Sequence, residues 1–65
     1  MQLHTHPSEP EITELAETKN YQAWRALEPD GEMTYHLELG QVTVHFFEEE
    51  WREFLDLMRK LVREA

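Results

Sequence analysis

Residues 34–46 read TYHLELGQVTVHF, and their apolar side chains alternate with polar ones at the two-residue period of a β-strand. The alternation is interrupted once, at Gly40-Gln41, where a glycine in the first central position favours a type II′ turn. With that turn Leu39 faces Val42, and each following pair on this side is apolar. A register shifted by one residue would set these side chains against polar ones. The segment therefore predicts a β-hairpin with a defined register.

A second hairpin is predicted immediately upstream. Pro29-Asp30-Gly31 offers proline for the first turn position and glycine for the left-handed one, which is typical of a three-residue loop. If Glu28 faces Glu32, a third strand joins the sheet and extends its apolar side. The new pairs are Leu27 with Met33, Ala23 with Leu37, Tyr21 with Leu39 and, as the one misfit, Arg25 with Tyr35.

The C-terminal segment is predicted to be an amphipathic helix over Glu48–Ala65. Acidic residues lie at its start and basic ones near its end, as the helix dipole favours. Its apolar stripe should pack on the apolar side of the sheet, with Leu57 at the edge of the stripe. The expected fold class is α+β, a three-stranded antiparallel meander with this helix on one face. The stripe consists of Trp51, Phe54, Leu55, Met58, Leu61, Val62 and Ala65.

Residues 8–20 fit two interpretations. Ser8 and Glu11 form an S-x-x-E capping box, and Ile12, Leu15 and Ala16 follow at helical spacing, which favours a short helix. The same residues also alternate acceptably as a strand that leads into Tyr21. Residues 1–7 are predicted to be a flexible tail, and residues 8–65 a single domain.

The size and charge of the chain restrict its function. A 65-residue domain buries only about 60% of its unfolded surface, and without cysteine it has no disulfides, so we expect it to oligomerise. No leader and no membrane span are apparent, which favours a cytoplasmic location. The net charge is −8, and residues 1–50 contain eleven acids and two bases. That imbalance argues against binding nucleic acid or an anionic membrane.

The register of the two hairpins also predicts a candidate site on the second side of the sheet. It places Trp24, His36 and His45 side by side, with the two imidazoles about 5 Å apart at Cβ, close enough to share a divalent metal. Glu38 or Thr43 could lie nearby. Alternatively, the histidines are half-exposed residues that pack on Trp24. An exposed tryptophan would form an apolar patch that a monomer tends to avoid, so we expect residues 8–20 or a second copy of the chain to cover it.

The inventory of catalytic groups is small, with no cysteine, one serine and no phosphate-binding loop. We therefore expect a non-enzymatic, homo-oligomeric protein-binding or regulatory module without a cofactor, most simply a homodimer. Two alternatives remain. One is a metal- or ligand-binding module that uses His36, His45 and Trp24, and the other is an acidic mimic of nucleic acid that occupies a basic protein.

Overall fold

The computed structural model describes residues 9–65, which form one antiparallel sheet followed by a helix. The strands lie in chain order in the sheet, each paired with the next. The predicted α+β meander is confirmed, with one strand more than expected; Ser8 and the predicted tail at residues 1–7 lie outside the described residues. Over residues 9–65 no helix is long and apolar enough to span a membrane. The elements are β1 Glu11–Glu17, β2 Tyr21–Leu27, β3 Met33–Leu39, β4 Val42–Phe47 and α1 Glu48–Glu64.

Both predicted hairpins are present with the predicted registers. The β2–β3 loop is closed by the backbone N–H of Glu28, which donates to the carbonyl of Glu32 at 2.8 Å. Gly31 has φ +92° and Gly40 has φ +72°, values that glycine adopts without steric cost. Gln41 has no positive φ, so the β3–β4 turn matches type II′ at these two positions.

The helix favoured for residues 8–20 is wrong, because Glu11–Glu17 is strand β1 and pairs antiparallel with β2. Its register shifts between Glu14 and Ala16, so that Leu15 forms a β-bulge. The alternative interpretation, a strand that leads into Tyr21, is therefore confirmed, and the bulge changes which side chains of β1 share a face. Pairing with β1 also satisfies the backbone N–H and C=O groups along the outer edge of β2, which a helix at residues 11–17 would leave without hydrogen-bond partners in the sheet.

One side of the sheet, which we call the core face, carries the helix. Trp51 stacks on Tyr35 with ring centroids 5.0 Å apart and planes 6° apart, and it meets Phe46 at 5.4 Å. Phe54 adds a contact with Phe46 at 5.1 Å. The core face consists of Tyr21, Ala23, Arg25, Leu27, Met33, Tyr35, Leu37, Leu39, Val42, Val44 and Phe46.

The helix covers only one end of this face. Within the described part of the chain it contacts β3 and β4 and neither β1 nor β2. Only Ala26, Tyr35 and Trp51 are buried among residues 9–65. The core is therefore a small aromatic cluster, and apolar side chains remain exposed on the other end of the sheet and on the second half of the helix.

Two charge pairs with i,i+4 spacing lie along the helix, Glu48 with Arg52 at 3.0 Å and Asp56 with Lys60 at 3.2 Å. All four side chains are exposed, so each pair contributes only a few tenths of a kcal/mol. The helix start is fixed by Glu50, whose carboxylate accepts the backbone N–H of Phe47 at 3.0 Å. The helix ends at Glu64, one residue before the predicted end.

We expect Trp51→Ala to lower the free energy of unfolding by about 3–5 kcal/mol, because the aromatic cluster loses its central ring. Leu57→Ala should cost about 1 kcal/mol or less, since that side chain is 52% exposed. Urea titrations followed by circular dichroism measure both, and Phe54→Leu supplies a milder change if Trp51→Ala does not fold. Equal losses at Leu57 and Trp51 would show that a different side of the helix faces the sheet.

Candidate functional site

The second side of the sheet, which we call the histidine face, brings the predicted site residues together. Trp24 on β2 pairs with His36 on β3, and His36 pairs with His45 on β4. Glu14 extends the same row onto β1. The predicted juxtaposition of the three residues is confirmed, whereas their use as a site stays a prediction. The face also carries Ile12, Glu17, Gln22, Ala26, Thr34, Glu38, Thr43 and Phe47.

The three rings make specific contacts. Trp24 and His36 stack with centroids 3.9 Å apart and planes 13° apart. His36 and His45 meet edge to face with centroids 4.6 Å apart, and their Nδ1 atoms lie 2.5 Å from each other. A contact of this length between two ring nitrogens needs a hydrogen atom between them, because two lone pairs would repel.

The position of that hydrogen follows from the neighbours of His36. The Thr34 hydroxyl donates to the Glu28 carboxylate at 3.1 Å, and its oxygen lies 3.0 Å from Nε2 of His36. A hydroxyl has one hydrogen, so when it donates to Glu28 it must accept from Nε2–H. Neutral His36 then accepts at Nδ1, and His45 is the donor there. In the neutral tautomer that donates at Nδ1, His45 has its lone pair at Nε2, and the residue is exposed.

The pKa of His36 is lowered from its ordinary value. Partial burial is the main cause, because it disfavours the charged ring, and the neighbouring His45 lowers the pKa further. The negative charge of Glu28 acts in the opposite direction without reversing the result. His36 is therefore neutral at pH 7, as the hydrogen-bond chain requires.

His36 and His45 are placed as hydrogen-bond partners, and their ring nitrogens are too close together for both to ligate the same metal ion. Nitrogen ligands about 2.0–2.1 Å from a tetrahedral zinc lie roughly 3.3 Å apart, so metal binding would require the two rings to separate. Residues 9–65 also contain no group of three or more potential ligands placed to hold a metal. The metal role of His36 and His45 stays a prediction. Glu38 and Thr43, which were expected nearby, pair with each other two residues along their strands from the histidine pair.

β1 lies beside Trp24 and does not cover it. Since residues 11–17 extend the sheet edgewise, Trp24 stays half-buried and its outer surface faces solvent. The strand instead adds carboxylates next to the tryptophan, at Glu14 and Glu17. The pKa of Glu17 is raised, because it shares a hydrogen bond with Glu14 and feels the negative charge of that residue.

Sequence reasoning missed the part that Glu28 and Thr34 play. Alternation along β3 places Thr34 on the same side as His36, so that neighbour was predictable. Glu28 lies at the mouth of a turn, where no periodicity indicates the direction of a side chain. His45 also lines an open groove of about 520 Å³ with Glu50, Glu53 and Leu57 of the helix.

Comparison with known proteins gives no relative, because no family model, curated protein or solved structure matches the chain.

The lowered pKa of His36 predicts a pH-dependent stability. The unfolded chain, with a histidine pKa of about 6.5, binds protons before the folded state does. The free energy of unfolding is therefore highest above about pH 6.5, where His36 is neutral in both states. It falls as the pH drops towards the folded pKa of His36, because the unfolded chain binds the proton first. Urea titrations at pH 8 and pH 5.5 measure the change, and NMR titration of the ring protons identifies the residue.

The control is the double variant His36→Gln with His45→Gln, since the acidic residues give the chain a pH dependence of their own. The parent should lose more stability than the double variant between the two pH values. Equal losses would show that the histidine pair does not control this behaviour.

Proposed function

We propose that this protein is a non-enzymatic protein-binding module that acts as a homo-oligomer in the cytoplasm and uses its histidine face to bind a partner. The observation that carries the proposal is the small core. Only three residues of the described part are buried, while ten large apolar side chains are exposed. An isolated chain has little reason to keep so much apolar surface in water, so contacts with other chains account for it best.

The histidine face supports binding more than catalysis. Trp24 stacks on His36, and tryptophan is enriched at the centres of protein interfaces. The groove beside His45 is open to solvent, so it would not shield a reacting group from water. The hydrogen-bond chain to Glu28 fixes the orientation of His36, which suits a preformed surface.

The charge around this face indicates the chemistry of the partner. Glu14, Glu28 and Glu38 surround the aromatic pair, and residues 1–50 hold eleven acids against two bases. A basic protein surface would therefore be attracted and oriented here. An acidic mimic of nucleic acid would also attract a basic protein. If the partner that this protein captures is a nucleic-acid-binding protein, the mimic is favoured; any other partner favours a protein-binding module.

The second candidate function, a ligand- or metal-binding module on the same face, is favoured by the lone pair at Nε2 of His45. That nitrogen can accept a hydrogen bond or ligate a metal without breaking the contact to His36. Equilibrium dialysis against zinc, with His45→Gln for comparison, tests this candidate directly.

Trp24→Ser should reduce capture of a basic partner from a cell lysate by at least about tenfold, because it removes the largest apolar contact of the histidine face. The matched control is Leu27→Ser, which changes a side chain of the same strand on the core face. Circular dichroism verifies the fold of both variants, and raised salt should weaken capture by the parent. Equal capture by the parent and Trp24→Ser would refute binding through this face.

A further inference from the structure

Two apolar surfaces are left exposed by the contacts among residues 9–65. The first, which we call the open sheet end, consists of Tyr21, Leu39 and Val42 on the core face, which are 55%, 41% and 57% exposed. These residues form one row across β2, β3 and β4. They lie four residues along each strand from Tyr35 and Phe46, where the helix packs.

The second surface is the C-terminal half of the helix, residues 57–64, which we call the free helix half. Leu61 and Val62 are 52% and 75% exposed there. Val62 continues an apolar groove with Leu55 and Met58. The sheet therefore lacks a helix at one end, and the helix lacks a sheet along its second half.

The helix of the same chain does not supply the missing contact. It begins at Glu48, directly after the last residue of β4, so no linker allows it to swing. The stack of Trp51 on Tyr35 holds it at the other end of the sheet. Among residues 9–65 the helix is α1, so a second helix on the open sheet end would not come from this part of the chain.

We propose that a second copy of this chain occupies both surfaces, with the free helix half of each copy packed on the open sheet end of the other. Such an exchange is self-complementary about a twofold axis, so one contact repeated twice completes both copies. The inference rests on the homo-oligomeric part of the proposed function and leaves the histidine face free for another protein.

Charge favours this pairing over other contacts between copies. The free helix half carries Arg59, Lys60 and Arg63 against Glu64, and Asp56 directly before it pairs with Arg59 and Lys60. Residues 56–64 therefore have three bases and two acids, a net charge of +1, whereas the rest of the chain has −9. Glu17 and Glu38 lie at the same end of the sheet as Tyr21 and Leu39 but project from the histidine face, with Lys19 beside them. Two chains of net charge −8 repel each other in most orientations, and this arrangement directs the basic segment of each copy towards the acidic remainder of the other.

The area is sufficient for a specific dimer. Burial of five exposed side chains in each copy would remove on the order of 1,000 Å² from water. These side chains are Tyr21, Leu39, Val42, Leu61 and Val62. Polar neighbours add to this value, which brings it into the range of stable interfaces of about 1,200–2,000 Å².

Sedimentation of the full chain at micromolar concentration tests the dimer. The parent should sediment as a dimer, and Leu61→Ser with Val62→Ser should raise its dissociation constant by at least about tenfold, because both changes remove buried apolar area. The matched control, Ile12→Ser, alters a side chain of similar exposure on the histidine face and should leave the dimer intact. A monomeric parent, or a dimer that only Ile12→Ser or Trp24→Ser disrupts, overturns the inference.

The absence of cysteine from the sequence allows a test of the orientation. Val42→Cys and Val62→Cys are prepared as separate single variants, mixed, and treated with a short bis-maleimide. A cross-linked product that contains one chain of each kind supports the exchange. Links between two Val62→Cys chains alone, or no links, overturn it. Partner capture that persists in either case shows that the binding function stands without this dimer.

Discussion

The packing of Trp51 against Tyr35 and Phe46 is the contact on which the tertiary structure depends. It fixes the position and direction of the helix, and it contains two of the three buried side chains of residues 9–65. Because this anchor lies near the start of the helix and at one end of the sheet, the other half of each element remains exposed. The small aromatic core and the two unpartnered apolar surfaces therefore have a single cause.

The parts of the fold that local chemistry determines could be predicted from the sequence. The two hairpins follow from alternation and from Gly31 and Gly40, and the contact between His36 and His45 follows from the same register. The identity of β1 could not be predicted, because Ile12 and Leu15 fit helical spacing and the deciding factor is the distant edge of β2. Periodicity also identified which side of the helix is apolar, but not how far the sheet extends beneath it.

The candidate site shows the same division. Its residues share a face for reasons of alternation, while the state of His36 depends on the directions of the Thr34 and Glu28 side chains. The direction of the Glu28 side chain depends on its rotamer at the β2–β3 turn, and no pattern of residue types specifies that rotamer. The two directions matter chemically, because the Thr34 hydroxyl that donates to Glu28 accepts from Nε2–H of His36, and this assigns the hydrogen of the Nδ1 contact to His45. Burial and the neighbouring His45 are what lower the pKa of His36.

The bulge at Leu15 and the three carboxylates of β1 also limit how copies of this chain can assemble. An edge strand offers unpaired backbone groups that can recruit a strand from another molecule, and repetition of that step gives an unending ribbon. On β1, Glu11, Glu14 and Glu17 would meet like charges, and the bulge distorts the ladder that an incoming strand requires. Growth along this edge is therefore disfavoured, whereas the proposed association through side chains of the helix and the core face would give a closed particle of defined size instead of a fibre.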